Sequence, residues 1–274
     1  MTPDLSIIIV SHKARQWLGQ CLGSLRAHPE VPAEVIVVEN GSDDGSAELV
    51  GEQFPEVTLV CNAQPQGFAA NNNTGALASS APLLLFLNPD TEAPPGSLRA
   101  MLEVMARHPE CGVFGSRLLD SAGEVERSMG RFPTLTSIAI DRLLQSLPAL
   151  RPLLERFSQR HFLGYEQERG VDWVTGAALW IRREALDRAG GWDGTTFFMY
   201  YEDVDLCYRA RQAGYKVLYV PQSKLYHYHN KTPVDPGRRK GWMRQSRSAF
   251  MCKHYGPWRG RRCALLLKLF DRLA

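Results

Sequence analysis

The chain has 274 residues, 44% hydrophobic and 22% charged, an ordinary globular composition that excludes a disordered, collagen-like or mucin-like chain. Its net charge of +3 hides an asymmetry: residues 1–236 hold 21 Lys and Arg against 28 Asp and Glu, whereas residues 237–274 hold 11 against the single acid Asp271. A weakly acidic body with a tail of net +10 points to a polyanionic partner: a membrane surface, nucleic acid or a phosphorylated substrate.

No apolar run approaches the ~18 residues needed to span a bilayer. The apolar stretch at 5–10 is too short for a signal peptide and has no basic residue before it, so a cytoplasmic protein is expected. Six scattered cysteines with no CxxC pair read as buried or incidental thiols in a reducing compartment.

Residues 5–10, 34–38, 57–60 and 83–87 are short runs rich in Ile, Val and Leu, the pattern of strands buried on both faces. Between them, Trp17, Leu18, Cys21, Leu22 and Leu25 share one helical face, and residues 45–54 and 68–78 read as helices. Leu98, Met101, Leu102 and Met105 repeat the helical spacing. This alternation predicts an α/β fold with a mostly parallel central sheet and helices on both faces. Residues 133–170 are rich in Leu, Arg and Pro, with amphipathic pieces at 138–147 and 150–157. A strand at 174–181, a short helix at 183–189 broken by Gly190-Gly191, and a helix at 202–212 follow. A strand at 216–220 is expected to stop at Pro221, and residues 242–254 and 263–273 are basic helix candidates.

In such a sheet, ligands bind where loops leave the carboxyl ends of strands. Those ends carry Ser11-His12, Glu39-Asn40-Gly41 and Asn88-Pro89-Asp90. Each alone reads as a solvated loop; three on one edge define a candidate pocket. No GxGxxG follows the first strand, and Walker A, HExxH and GxSxG motifs are absent. An α/β nucleotide binder of this kind holds its diphosphate with a metal. Asp90, at a strand end, could hold Mg²⁺ or Mn²⁺, although Asn-Pro-Asp is also a common turn. Glu202, Asp203 and Asp205 crowd a predicted helix start beside Tyr200 and Tyr201. Helix capping needs one or two acids there, not three, and a carboxylate among aromatics can act as a general base. His227 and His229 alternate after the last strand, where they read as surface residues or as metal ligands.

Taken in order, these segments resemble the motifs of GT-A glycosyltransferases of family 2, most closely the bacterial rhamnosyltransferase-like branch, from Leu5 to about Tyr255. The matching text runs from Ser6 to Ser11; from Val37 to Ser42 with Asp44-Gly45-Ser46; Gly67-Phe68-Ala69 with Asn72, Asn73 and Gly75; and Phe86 to Asp90. It continues with Gly176, Arg182-Arg183, Gly191-Trp192-Asp193, Phe198 and Tyr200 leading into Glu202-Asp203-Val204-Asp205-Leu206, Arg209, Gly214, His227 and Thr232.

The resemblance implies one GT-A domain over residues 1–236, with a nucleotide-binding half (1–110) and a donor-sugar and acceptor half (111–236), followed by a basic helical extension (237–274). It implies that Val10, Ser11 and Glu39 line the base and ribose, and that Asn72 and Asn73 lie on the nucleotide side. Asn88 and Asp90 occupy the DxD positions, with Asp90 on the divalent metal, Mg²⁺ or Mn²⁺, and His227 or His229 beside it. Gly176 lines the sugar pocket, Asp203 is the general base, and Glu202 and Asp205 face the acceptor. The implied reaction is inverting transfer from a dTDP- or UDP-sugar, with dTDP-rhamnose favoured, to a lipid-linked or growing bacterial surface glycan. The chain departs from the family at Glu39, where Asp is usual, at His12-Lys13 for Tyr-Asn, at Pro65 for Asn and at Asn88 for the first acid of DxD.

Two other readings compete. A nucleotidyltransferase would carry a glycine-rich loop after the first strand, and Ser11 to Arg15 contains no glycine. A nucleic-acid binder could use Trp242, Tyr255 and Trp258 among the basic residues. It leaves the acidic cluster unexplained, so no nucleic acid is expected. Leu265, Leu266, Leu269, Phe270 and Leu273 form an apolar stripe, with Lys268 and Arg272 off it. The stripe either packs on the body or makes the chain a peripheral protein on the inner face of the cytoplasmic membrane, through an anionic surface.

Overall fold

A computed structural model describes residues 3–27, 31–154, 157–158, 164–228 and 235–273. β1 (Leu5–Ser11) pairs in parallel with β2 (Ala33–Glu39) on one side and with β4 (Leu83–Leu87) on the other, and β3 (Thr58–Cys61) extends the sheet beyond β2. Helices α1 (Arg15–Arg26), α2 (Ser46–Gln53) and α3 (Phe68–Leu77) make the crossovers. Successive strand residues feed two apolar layers. Ile8, Val10, Ile36, Val38, Leu84 and Phe86 join the layer that includes Ala69 and Ala76 of α3. Leu5, Ile7, Ile9, Val37, Leu85 and Leu87 join the layer that includes Leu18 and Leu22 of α1. Burial on both faces is why these runs are continuous rather than alternating. Gly75 lets α3 lie close on the sheet, since a Cβ there would collide with the Ile8 side chain.

The chain continues through β5 (Thr91–Glu92), α4 (Ser97–Arg107), β6 (Cys111–Leu119), β7 (Met129–Gly130), α5 (Leu135–Ser146), α6 (Arg151–Leu154), β8 (Arg169–Val171), β9 (Trp173–Val174) and β10 (Ala178–Arg182). It ends with α7 (Arg183–Ala189), α8 (Glu202–Gln212), β11 (Lys216–His227), α9 (Pro236–Tyr255) and α10 (Pro257–Leu273). The main sheet has the order β3-β2-β1-β4-β10-β6-β11-β5, with β8 also on β11. β10 runs against both β4 and β6, and β6 and β11 are parallel. The long strands other than β10 therefore point one way, and their carboxyl ends share one edge.

Three expectations change. The strand expected at 174–181 is two strands: β9 pairs with β7 in a small second sheet and β10 enters the main one. The crossing between them carries Gly176. Pro221 does not stop the last strand: the β6–β11 register is irregular between Val220 and Lys224, and that bulge absorbs the missing N–H. β11 so reaches His227, which pairs with Thr91. β6, read as no element from the sequence, contains Gly112 and Gly115, which make room for Tyr215 and Val174.

The basic segment is helical, as expected, and packs on the body. Asp235 caps α9 by accepting the Arg238 N–H at 2.8 Å, and Pro236 opens the helix. Phe250, Met251, Cys263 and Leu267 are buried in the same layer as α8. The stripe read from sequence is divided: Leu266 packs inward beside the buried Cys263 and Leu267, whereas Leu265 and Leu269 are 66% and 56% exposed. Among the described residues, no helix is long and apolar enough to cross a membrane. Of the six free cysteines, Cys61 and Cys252 are exposed and the other four are buried.

Candidate active site

Ser11 and Glu39 stand side by side at the ends of β1 and β2. Val10 packs its side chain into the core. Glu39 is buried, and both its carboxylate oxygens accept the Ser42 N–H, at 2.9 and 3.1 Å, which pins the turn at Gly41. Asn40 accepts the Gln66 N–H at 2.7 Å and donates to the Gln66 carbonyl at 3.0 Å. Asn71, missed in the motif reading, is also buried and donates to the carbonyls of Gln66 and Gly67. These amides fix the loop that enters α3. Asn72 is buried and its Nδ2 meets no protein partner; Ser11 Oγ and Glu202 Oε2 are in the same position. Buried polar atoms without partners are uncommon and mark places where a ligand or water completes the site. Asn73 differs: its amide donates to the Trp192 carbonyl at 2.8 Å and accepts the Trp192 N–H at 2.9 Å. It joins α3 to the 191–193 loop.

β4 delivers Asn88 and Asp90 to the same edge, and β11 brings His227 against them. His227 Nε2 lies 3.4 Å from Asp90 Oδ1 and 3.3 Å from Asn88 Nδ2. Its Nδ1 lies 2.9 Å from Glu126 Oε2. Glu126, on the loop after β6, was not read as functional, because nothing in its local sequence distinguishes it. Burial works against charging His227, but the Asp90 and Glu126 carboxylates outweigh it and push its pKa up to about 9. His229, the alternative ligand, lies outside the described residues, as does Thr232. Among the described residues, the place where three His, Cys or acid ligand atoms converge is instead His108, Glu110 and Cys111. That group sits at the start of β6, on the opposite edge, and His108 is paired with Glu168.

Asp203 occupies the first turn of α8. Its Oδ2 accepts the Gly176 N–H at 3.0 Å and its Oδ1 accepts the Val204 N–H at 2.8 Å. A Cβ on Gly176 would press on Phe68 at 3.2 Å, so Gly176 allows the β9–β10 crossing to approach both α3 and Asp203. Immediately before α8, Tyr200 and Tyr201 take φ of +70° and +68°. Two consecutive non-glycine residues in the left-handed region store strain of the kind found at functional sites. Helix α9 holds this loop in place: Ser246 donates to the Met199 carbonyl at 2.8 Å, and Arg247 Nε donates to Tyr201 Oη at 2.6 Å. Glu202 is buried, and burial first, then the charge of Asp203, raises its carboxyl well above the usual range.

Asp205 is corrected. It was expected at the acceptor, but it is fully buried and takes Arg209 Nε, Lys253 Nζ and His254 Nε2, each at 2.7 Å. It joins α8 to α9. Residues two apart on a helix face opposite sides, so Asp203 and Asp205 could not share a site.

A mostly parallel α/β sheet with a carboxylate and an imidazole at one strand edge and an acid at the neighbouring helix start defines the class. The chain belongs to glycosyl transferase family 2, whose model matches residues 6–189, and it is a glycosyltransferase. It is 31% identical over 272 residues to the N-acetylglucosaminyl-diphospho-decaprenol L-rhamnosyltransferase of Mycobacterium tuberculosis, covering 94% of this chain and 88% of that one. It is 25% identical over 230 residues to rhamnosyltransferase WbbL of Escherichia coli K12, covering 81% and 82%. Its fold is similar to that of mannosyltransferase PcManGT from Pyrobaculum calidifontis, solved with GDP-Man and Mn²⁺: the TM-score is 0.60 at 16% identity, covering 100% of this chain and 76% of that one. GalNAc-T7, solved with UDP, GalNAc and Mn²⁺, gives a TM-score of 0.62 at 15% identity, covering 89% and 47%. The expected GT-A architecture is thus the observed one.

Proposed function

We propose that the protein transfers a sugar from a nucleoside diphosphate to a hydroxyl of a lipid-linked glycan, with inversion at the anomeric carbon. The favoured donor is dTDP-rhamnose, a choice supported by the two rhamnosyltransferase relatives. The observation that carries the reading is the convergence of Asp90 and His227 at the strand ends, 3.4 Å apart and nearly buried. Asp90 and His227 would hold a divalent cation, Mg²⁺ or Mn²⁺: one oxygen and one imidazole nitrogen are a fitting donor set, and the partnerless Ser11 Oγ and Asn72 Nδ2 leave polar atoms for the nucleotide. When bound, such an ion neutralises charge on the leaving diphosphate. Glu126 accepts from the far nitrogen of His227 and orients the ring, as carboxylates behind metal-bound histidines do. Asp203, steered by Gly176, takes the proton of the attacking hydroxyl.

Titration of dTDP and UDP with Mn²⁺ tests this. Asp90→Ala is expected to abolish the metal-dependent part of the affinity and to match wild type in chelator. Glu126→Gln is expected to weaken Mn²⁺ affinity about 10–100-fold. Equal losses with and without metal would reject the metal site.

The exposed Trp258, Leu265 and Leu269 beside Arg261, Arg262 and Lys268 suit an anionic membrane surface. The full chain is expected to sediment with phosphatidylglycerol vesicles at low salt and to leave them at high salt, since the attraction is screened within a Debye length. Failure to sediment at low salt rejects membrane docking.

A further inference from the structure

Helices α9 and α10 enclose an open groove of about 560 Å³, with Arg238, Trp242, Arg244, Gln245 and Ser248 on the α9 side and Lys268 on the α10 side. The Arg238 guanidinium lies 5.7 Å from the centre of the Trp242 ring. Arg238 and Lys268 on opposite sides of one groove, with no carboxylate among its described lining residues, match a compact polyanion; the volume is within the range of small-ligand sites.

Two further observations narrow the ligand. Leu265, Lys268 and Leu269 are spaced i, i+3 and i+4 on α10, so they share a face, and all three are exposed. An anion held at Lys268 would leave an attached hydrocarbon chain lying along Leu265 and Leu269. From Trp242 a chain of contacts runs to Asp203. The Trp242 ring lies 5.1 Å from that of Phe198, and the Phe198 carbonyl accepts the Phe68 N–H at 3.0 Å. Phe68 in turn packs on Gly176, whose N–H holds Asp203.

We propose that the α9–α10 groove, through Arg238 and Lys268, binds the diphosphate of a prenyl-diphosphate acceptor and so presents the acceptor sugar toward Asp203. The assignment rests on the proposed transfer to a lipid-linked glycan and adds where the lipid end is held. The groove is separate from the donor diphosphate site at Asp90, and charge changes in it act on one ligand and not the other.

The test measures binding of farnesyl diphosphate, farnesol and inorganic diphosphate to the full chain in detergent, with dTDP plus Mn²⁺ as the separate donor probe. The double variant Arg238→Gln/Lys268→Gln is expected to lose at least about tenfold in farnesyl diphosphate affinity, the scale of a lost charged contact to phosphate. Its dTDP affinity should stay within about twofold of wild type. Arg238→Lys/Lys268→Arg should restore most of the loss, and Lys268→Glu alone, at an exposed position, should weaken farnesyl diphosphate on a fully folded chain. Unchanged farnesyl diphosphate affinity in both charge-removing variants overturns the proposal. So does farnesol binding as tightly as farnesyl diphosphate, which would make the groove purely apolar. Inorganic diphosphate matching farnesyl diphosphate would mean a free-anion site and would also overturn it. A parallel loss of dTDP would merge the groove with the donor site and end the claim. If wild type binds neither dTDP nor UDP with Mn²⁺ but the farnesyl diphosphate pattern holds, the donor reading fails and the groove stands.

Discussion

Asp203→Asn is expected to lower sugar transfer about 100-fold or more while leaving dTDP or UDP binding with Mn²⁺ intact. The substitution keeps the shape of the side chain and an oxygen to accept the Gly176 N–H, but removes the basic atom. A positioned base typically contributes 10²–10⁴-fold, and nothing else in the first turn of α8 can replace it cheaply. Glu202 is buried, and that burial, which persists in Asp203→Asn, raises its carboxyl well above the usual range. Asp205 is engaged on both oxygens by Arg209, Lys253 and His254. Steady-state transfer and donor binding, measured on the same preparation, separate chemistry from binding. Near wild-type transfer by Asp203→Asn would remove Asp203 as the base and leave Glu202 as the candidate.

The first four strands were legible in the sequence because their crossovers are local and β1, β4 and the end of β2 are buried on both faces, whereas β3 is a partly exposed edge strand. Each run at 5–10, 34–38, 57–60 and 83–87 appears in the sheet, and the polar residues after them meet at one edge. Asp90 and His227 were legible only through motif order, since 137 residues separate them and their contact depends on β11 running through Pro221. Glu126 was not legible: it matters only because the loop after β6 returns beside His227, and no pattern in residues 120–128 signals that. Asp205 was read as a site residue because it sits inside motif text. Its side chain is a scaffold contact to α9, and a motif string does not say which face a residue takes. The helical period did hold that information for Asp205, which lies about 200° around α8 from Asp203. The C-terminal stripe was read with two alternatives, and the structure divides it: Leu266 packs against the layer of Cys263 and Leu267, whereas Leu265 and Leu269 are exposed.

Asp205→Ala is expected to destabilise the fold by roughly 3–5 kcal/mol, the cost of removing one partner from a buried ion network. Arg209 would keep a hydrogen bond to the Gly191 carbonyl and Lys253 would keep Asp193, but His254 would lose the carboxylate it meets at 2.7 Å. All these groups lie where α8 meets α9, so the loss loosens the helix that holds Met199 and Tyr201 in front of Asp203. The pH dependence gives the sign. Burial alone would raise the Asp205 carboxyl, but donors from His254, Arg209 and Lys253 outweigh it and hold the group below the usual carboxylate range. A depressed folded pKa means that the stabilisation is present above the unfolded value of about 3.9 and is lost as pH falls through the lower, folded value. The stability gap between wild type and Asp205→Asn should therefore be full at pH 7 and close as pH falls below the unfolded value toward the lower, folded one. Thermal melts of Asp205→Ala, Asp205→Asn and Asp203→Asn across pH distinguish the two acids. Asp203→Asn should melt within about 1 kcal/mol of wild type, as half-buried substitutions off the core do. If Asp205→Ala melts like wild type while transfer collapses, Asp205 belongs to the chemistry and its burial against α9 has been misassigned.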